Sequence, residues 1–92
     1  MIRVQFCNNS VTMEGHAGYG KKGSDIVCAA VSTLLYVQVR LLEKQDKLRT
    51  CRIEPGHVVL LLRDGADVSV LEMGLRWLAG EYPQFVVIDN KL

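Results

Sequence analysis

Apolar and polar positions alternate along the first part of the chain. Residues 2–7 read Ile-Arg-Val-Gln-Phe-Cys, the period-two pattern of a strand with one buried face. The next three residues, Asn-Asn-Ser, favour a turn. Alternation resumes over residues 11–17, so the sequence predicts a β-hairpin at the start of the chain.

A helix is predicted after a glycine-rich segment. Residues 18–23 read Gly-Tyr-Gly-Lys-Lys-Gly and have too much backbone freedom for a regular element. Ser24 is a favourable helix cap, and Asp25 favours a first helical turn. Strong helix formers follow without Gly or Pro, so the first helix is predicted over residues 25–43.

Two further strands are predicted in the middle of the chain. Residues 47–53 and 57–63 have strand character, and the Glu-Pro-Gly sequence at 54–56 supplies the turn between them. The second of these strands contains a continuous apolar run over residues 58–62. Such a run is typical of a central strand covered on both faces.

A second helix and a last strand complete the predicted order. The helix opens at Ala66 or Asp67 and runs to about Tyr82, where Pro83 stops it. Residues 85–88 then form a short strand. The order is ββαββαβ, which predicts an α/β fold of the α+β-like kind, with a mixed, largely antiparallel sheet packed with two helices.

The composition describes one small globular domain. The chain has 92 residues, of which 49% are hydrophobic and 23% charged, too few residues for two domains and too apolar a mixture for a disordered chain. We therefore expect a single compact domain over residues 1–92. The mean hydropathy of +0.14 indicates that part of the surface is apolar and suits a partner.

Charge and hydropathy narrow the choice of partners. The net charge is +1 and the basic residues do not cluster, which argues against direct binding of nucleic acid. The longest uncharged stretch, residues 26–39, has fourteen residues, fewer than the ~20 that a membrane span needs. The first residues do not read as a signal peptide, so we expect a cytoplasmic protein without a membrane partner.

Three cysteines need separate explanations. Their number is odd and no Cys-x-x-Cys spacing occurs, which argues against a disulfide framework and against a four-ligand zinc site. No metal or cofactor is expected. Cys7 and Cys51 fall in predicted strands, where a buried cysteine usually acts as a small hydrophobic residue.

Cys28 differs from the other two cysteines. At 100° per residue, the first helix turns one broad side to the core; that side holds Val27, Ala30, Val31, Leu34, Val37 and Leu41. The opposite side holds Asp25, Cys28, Ser32 and Tyr36. Cys28 therefore lies off the core side and in the first helical turn, where free N–H groups and the helix dipole favour a thiolate.

A reactive thiolate also needs a proton acceptor. His16 ends the second predicted strand, just before the loop that leads to Cys28, so a strand–loop–helix turn can bring imidazole and thiol together. His16 can equally be a strand-end residue in contact with solvent. His57 begins an apolar strand and is interpreted as a structural or surface residue.

The glycine-rich loop imitates a nucleotide-binding motif. Gly18, Gly20 and Gly23 match the Gly-x-Gly-x-x-Gly spacing, but 92 residues with two hairpins leave no room for a dinucleotide fold. The phosphate-binding P-loop pattern fails because Ser24, not lysine, follows Gly23. We interpret the loop as one that opens and closes over a site.

The second predicted helix carries two apolar stripes, about 150° apart. The first consists of Val68, Leu71, Leu75, Leu78 and Tyr82, and the second of Val70, Met73 and Trp77. One stripe serves the core. The other is either core as well, if the helix is sandwiched, or the surface of a symmetric dimer, which we expect.

Three blocks of the sequence resemble one known family. They are similar to the YsxB or Prp family of ribosomal-processing cysteine proteases and read Gly15-His16-Ala17-Gly18, Asp25-Ile26-Val27-Cys28-Ala29-Ala30-Val31-Ser32 and Gly80-Glu81-Tyr82-Pro83. The resemblance spans nearly the whole chain. The first two blocks are specific, because their residues, their order and the interval of twelve positions from His16 to Cys28 all agree.

The resemblance implies a function and a set of site residues. Family members are small bacterial α/β homodimers that remove an N-terminal extension from large-subunit ribosomal protein twenty-seven. The resemblance places the catalytic cysteine on Cys28 and the catalytic histidine on His16, with Asp25 and Ser32 in supporting positions. The family's flexible segment over the active site falls on Gly18, Tyr19, Gly20, Lys21, Lys22, Gly23 and Ser24, although the lysine pair is not a family feature.

A mechanism follows as a hypothesis. His16 accepts the Cys28 proton, the thiolate attacks the scissile carbonyl, and N–H groups at the start of the first helix stabilise the oxyanion. Asp25 either orients His16 or favours the helix N-terminus, and the sequence leaves both roles open.

Three other functions compete with this one. The chain is alternatively a non-catalytic module that binds a peptide or a ribosomal protein, or a processing protease that acts on another protein, for example one from a mobile element. A redox sensor that uses Cys28 as a lone reactive thiol is the third.

Overall fold

The elements follow the predicted order, with boundaries shifted by a few residues. The computed structural model of the chain describes residues 1–21 and 25–89. In chain order, the elements are β1 (Ile2–Phe6), β2 (Ser10–Glu14), α1 (Ile26–Lys44), β3 (Leu48–Glu54), β4 (His57–Leu62), α2 (Ser69–Glu81) and β5 (Val86–Asp89).

The five strands form one sheet in the order β3-β4-β2-β1-β5. The β3–β4, β4–β2 and β2–β1 pairs are antiparallel, and β1 pairs with β5 in parallel. The α2 helix connects β4 to β5 and returns the chain to the far edge of the sheet. The predicted mixed, largely antiparallel sheet with two helices is confirmed.

The register aligns apolar residues in rows across the inner face of the sheet. One row crosses all five strands and consists of Ile88, Val4, Met13, Val58 and Ile53. The neighbouring row points to the other face and is mostly polar: Gln5, Thr12, Val59 and Arg52. The alternation that predicted strands thus predicts which face is buried.

The prediction that β4 is covered on both faces is wrong. Val58, Leu60 and Leu62 are buried, but Leu61, on the other face of the strand, is 42% exposed. The buried side chains of α1 and α2 join the inner-face residues of the sheet in one core. An apolar run therefore does not show by itself that both faces of a strand are covered.

The buried face of α1 differs in part from the predicted one. Buried side chains on the helix are Val27, Val31, Leu35, Gln38, Val39 and Leu42, whereas the predicted core residue Val37 is 46% exposed. Ala30, Leu34 and Leu41 are only partly buried. Because α1 is apolar on most sides, the pattern alone does not select the face that packs on the sheet.

A close approach of the two helices depends on one glycine. A Cβ atom added at Gly74 of α2 would lie 2.5 Å from Leu34 Cδ2 of α1, closer than carbon atoms pack. Gly in a helix interior costs about 1 kcal/mol relative to Ala. That cost is offset here because Leu34 fills the space beside Gly74.

A buried glutamine ties α1 to the start of α2. The Gln38 amide nitrogen donates to the Asp67 carbonyl oxygen at 3.0 Å, and its amide oxygen accepts from the Leu71 N–H at 3.0 Å. The N-cap residue of α2, Val68, makes no side-chain capping bond. The N–H of Leu71 lies in the first turn of α2, where it has no main-chain partner within the helix, and the Gln38 side chain supplies its acceptor.

The prediction that Cys7 and Cys51 are buried as small hydrophobic residues is wrong. Both are exposed, and all three cysteines are free thiols. Cys7 follows the last residue of β1, beyond the sheet. Cys51 pairs with the buried Leu60, but β3 is an edge strand of the sheet, and the Cys51 side chain stays exposed.

By length and composition alone, α1 is apolar enough to cross a membrane. A core helix of a soluble protein meets the same criteria. Here α1 contributes Val31, Leu35 and Leu42 to the packed core, so the match is weak support for a span.

Removing the Gln38 amide is expected to destabilise the fold. Gln38→Met keeps the approximate volume but leaves the Leu71 N–H and the Asp67 carbonyl unpaired, and each buried unpaired group costs about 1–3 kcal/mol. We expect a loss of about 2–4 kcal/mol in the free energy of unfolding, measured by urea denaturation. The control, Arg40→Met on the exposed side of the same helix, should change it by less than about 0.5 kcal/mol. Equal effects of the two variants would refute this role of Gln38.

Candidate active site

Three segments of the chain converge beside the N-terminus of α1. His16 lies two residues beyond the end of β2, and Cys28 is the third residue of α1. The turn between β3 and β4, which contains Pro55 and Gly56, lies against His16. The sequence predicted the meeting of the first two segments, and the structure adds the turn.

Cys28 and His16 lie in the same region of the protein surface. The Cys28 side chain is partly buried, and its Sγ atom is 3.4 Å from the main-chain N–H of Ala17, which donates to it. Because Ala17 directly follows His16, this bond brings the strand end and the helix start together. His16 and Cys28 also line the same cavities. The structure thus brings the two predicted site residues to the same cavities, and their action as a dyad stays a prediction.

Asp25 uses both carboxylate oxygens on main-chain N–H groups. Oδ1 accepts from Val27 and Cys28 at 2.9 and 3.0 Å, and Oδ2 accepts from Tyr19 and Gly20 at 2.9 and 3.2 Å. One side chain thus caps α1 and holds the start of the preceding loop. Of the two roles left open for Asp25, this geometry favours the one at the helix N-terminus.

These bonds set the protonation of Asp25. They lower the pKa of the carboxyl below its ordinary value of 3.8, the bond from the Cys28 N–H most strongly, while partial burial acts in the opposite direction. A negative charge therefore sits at the helix start. It occupies the place that a pyrophosphate would need, which agrees with rejecting the nucleotide-binding interpretation.

The structure does not support the predicted oxyanion donors. The Val27 and Cys28 N–H groups bond to the Asp25 carboxylate, and the Ala29 N–H donates to the Asp25 main-chain oxygen at 3.1 Å. These three N–H groups of the first turn of α1 are therefore already bonded to the cap residue. The main-chain donor that faces the thiol is instead the N–H of Ala17.

Two cavities meet at the cysteine. One of about 390 Å³ lies between α1 and the β3–β4 hairpin, where Leu35, Tyr36 and Ile53 supply apolar surface. The other, of about 680 Å³, lies toward the loop and is lined in part by Gly18 and Gly20. Four residues border both cavities: His16, Cys28, Ser32 and Pro55. The thiol therefore lies where a chain running from one cavity to the other would pass.

The polar side of α1 is arranged as predicted. Cys28, Ser32 and Tyr36 follow one another at intervals of four residues along the helix and border the same cavity. Ser32 and Tyr36 are exposed. Ser32 is thus next to the thiol, one helical turn further along.

An aromatic cluster holds the start of the predicted flexible loop. The Tyr19 ring meets the rings of Tyr82 and Phe85 edge to face, with centroids 5.4 and 5.2 Å away. This contact joins the block that contains Tyr82 to the start of the loop, although the two are remote in sequence. Sequence analysis missed the contact. Lys22, Gly23 and Ser24 of the predicted loop lie outside the described residues.

His57 is exposed, as interpreted from the sequence. Its Nδ1 atom lies 3.9 Å from a Glu14 carboxylate oxygen, and the residue borders the cavity between α1 and the hairpin. An exposed pair at this distance contributes little to stability.

Similarity in sequence points to one group of enzymes. The family model described as "Cysteine protease Prp" matches residues 1–87. The ribosomal processing cysteine protease Prp of Mycoplasma genitalium is 31% identical to the chain, over 99% of this chain and 97% of that protein. The protein of the same name from Mycoplasma pneumoniae is 32% identical, over 99% and 96%.

Solved structures share the fold. The Staphylococcus aureus essential ribosomal processing protease Prp, in complex with a covalently linked product peptide, superimposes with a TM-score of 0.79 at 23% identity, covering 98% of this chain and 97% of that one. At that identity the likeness concerns the fold. A Streptococcus mutans protein superimposes with a TM-score of 0.72 at 32% identity, covering 99% and 96%.

Asp25 is expected to make the folded state sensitive to acid. Since the pKa of its carboxyl is lowered by folding, its contribution to stability is complete above the unfolded pKa of about 4 and is lost as the pH falls through the lower folded value. In Asp25→Asn, the free energy of unfolding should therefore fall less steeply below about pH 4 than in the wild type. Urea denaturation followed by circular dichroism at several acid pH values measures both slopes, and identical slopes would contradict the assignment.

Proposed function

The chain belongs to the cysteine protease Prp family, and on this premise we propose that it removes an N-terminal extension from a ribosomal protein of the large subunit, protein twenty-seven. The observation that carries the proposal is the position of Cys28, between two cavities and beside His16. The names of the Mycoplasma relatives support ribosomal processing as the role.

In the proposed mechanism, His16 accepts the proton of the Cys28 thiol, and the thiolate attacks the carbonyl carbon of the scissile bond. Electron density moves to the carbonyl oxygen, where the Ala17 N–H, which faces the sulfur, serves as a donor. The C–N bond breaks, and the amine of the mature protein leaves with the proton from His16. Water, deprotonated by His16, then hydrolyses the thioester that links the extension to Cys28.

The shape of the site supports a peptide as substrate. An extended chain can occupy the two cavities on either side of the thiol, and the cavity beside the hairpin offers apolar surface for uncharged side chains. The loop that begins at Gly18 borders the other cavity and acts as a gate over the bound chain. Asp25 holds the base of this gate, and Ser32 borders the reacting thiol.

Thiol and imidazole supply the nucleophile and the base, so the reaction needs no cofactor or metal. A ribosomal protein precursor places the reaction in the cytoplasm. The net charge of +1 favours recognition through the peptide extension, without direct contact to RNA or to a membrane.

Loss of the Cys28 thiol is expected to abolish cleavage. Cys28→Ala and His16→Ala should each lower the rate of cleavage of the extended ribosomal protein by at least about 10³-fold, because each removes a group that acts in the transition state. The product is measured by intact mass.

Cys7→Ser and Cys51→Ser are the matched controls and should retain turnover within about twofold. Partial burial and then the charge of Glu43 raise the pKa of the Cys51 thiol, so Cys51 is less reactive near neutral pH. Binding of the precursor without cleavage by the wild type would favour a non-catalytic binding module. Reversible oxidation of Cys28 without cleavage would favour a redox sensor, and cleavage of another protein alone would favour a different substrate.

The second apolar stripe of α2 supports a symmetric dimer. Val70, Met73 and Trp77 are 39%, 72% and 64% exposed, so this stripe is not sandwiched in the core of the chain. Met and Trp are enriched at protein interfaces, and a two-fold axis beside α2 would cover the stripe of each copy with that of the other. We infer that this stripe is the dimer surface.

A negative charge introduced into this stripe is expected to dissociate the dimer. Trp77→Glu should shift the chain from dimer to monomer in sedimentation velocity at micromolar concentration, since a carboxylate would be buried without a partner. Leu61→Glu, on the open face of the sheet, is the control and should leave the dimer intact. Dissociation by Leu61→Glu alone, or a wild type that is monomeric, would contradict this interface.

A further inference from the structure

The tip of the β3–β4 hairpin lies against the imidazole ring of His16. Gly56 has a φ of +73°, and a Cβ atom at this position would lie 2.9 Å from His16 Nε2 and 3.4 Å from both His16 Cδ2 and Cε1. The imidazole ring therefore fills the space that a side chain at position 56 would need. This contact joins residues forty positions apart in the sequence.

The same turn also fixes the backbone that carries the imidazole. The Gly56 carbonyl oxygen accepts from the N–H of Gly15 at 2.9 Å, next to His16 in the chain. On the other side, the Met1 main-chain nitrogen donates to the His16 carbonyl oxygen. The backbone of His16 is thus held from two directions, and Gly56 contacts both the ring and the residue that precedes it.

Among residues 1–21 and 25–89, no side chain or main-chain group forms a hydrogen bond with the His16 imidazole. In nucleophile–base pairs, a third polar group commonly orients the base. Asp25, the obvious candidate by sequence, has its two oxygens on four main-chain N–H groups. The His16 side chain is exposed, and the close contact on its ring is the steric one with Gly56.

We propose that Gly56 is the positioning residue for His16: the absence of a side chain at the hairpin tip sets where the imidazole lies relative to the Cys28 thiol. This inference rests on the proposed function, in which His16 is the base. It assigns a role in the reaction to a turn residue that is far from both His16 and Cys28 in the sequence. Displacement of a catalytic group by about 1 Å can lower the rate about 10²-fold.

The test uses asparagine, which tolerates a positive φ better than most residues. Gly56→Asn adds a Cβ atom against the imidazole. Gly65→Asn is the matched control, because Gly65 has a φ of +83° and its nearest neighbour is the flexible end of Lys47, 3.6 Å from the Cβ position. Both variants therefore carry the same backbone demand, and only the first displaces His16. Gly56→Ala with Gly65→Ala repeats the comparison if Gly56→Asn melts below the assay temperature.

In cleavage of the extended ribosomal protein, Gly56→Asn should lower kcat about 10²-fold and change KM by less than about threefold. Gly65→Asn should keep both values within about twofold. A merely structural role of Gly56 would instead lower the melting temperature of Gly56→Asn and leave kcat of the folded protein unchanged, and this result would overturn the inference.

Alkylation of Cys28 by iodoacetamide gives a second measurement that needs no substrate. With Cys7 and Cys51 replaced by Ser, the pH dependence of the rate should move in Gly56→Asn toward that of His16→Ala, and Gly65→Asn should match the wild type. Besides His16 and Cys28, the titratable residues that line the two cavities are Asp25, Tyr36, Glu54 and His57, and they are the same in all variants. An active Gly56→Asn with the wild-type profile would overturn the inference about Gly56 alone. A wild type that cleaves nothing and alkylates like His16→Ala would overturn the proposed function.

Discussion

The Asp25 carboxylate organises the candidate site, because it makes two local structures depend on each other. Oδ1 caps α1, and Oδ2 accepts hydrogen bonds from the main chain at Tyr19 and Gly20. The position of Cys28 in the first helical turn and the position of the chain at Tyr19 and Gly20 therefore depend on the same group. This arrangement has a chemical consequence. The N–H groups of Val27 and Cys28, which a helix start usually offers to an anion, are already bonded to this carboxylate, so the proposed mechanism takes its oxyanion donor from outside the helix, the N–H of Ala17.

The rest of the fold serves to bring this helix start to the end of β2. The sheet packs both helices on one face, so the end of β2, the tip of the β3–β4 hairpin and the N-terminus of α1 meet at one corner. Leu34 packed into the gap at Gly74 and Gln38 bonded to the start of α2 hold the helices together. Neither contact touches the cavities. They matter to the site because they fix the direction in which α1 presents Cys28.

Periodicity was enough to predict the elements and their order, since each strand and helix carries its own local pattern. Periodicity did not identify the buried face where the same sequence fits more than one arrangement. Because α1 is apolar on most sides, Val37 was assigned to the core although it is exposed, and the apolar run of β4 did not reveal its open face. The alternation of β3 places Cys51 on the inner face of the sheet, but its burial depends on whether a helix covers the edge strand. The site residues His16 and Cys28 carried a signal in residue type and spacing. Gly56 did not, because a turn glycine looks the same whether or not an imidazole lies against it. Contacts of this kind exist only once the chain has folded.

In the proposed reaction, Cys28 forms the covalent intermediate of a peptide cleavage. To detect this intermediate, the protein is mixed with the extended ribosomal protein, the reaction is quenched with acid during turnover, and any added mass is located by peptide mapping. We expect an enzyme heavier by the mass of the N-terminal extension less one water, with the thioester on the peptide that contains Cys28. An intact substrate, or an acyl group found on Cys7 or Cys51, would contradict it.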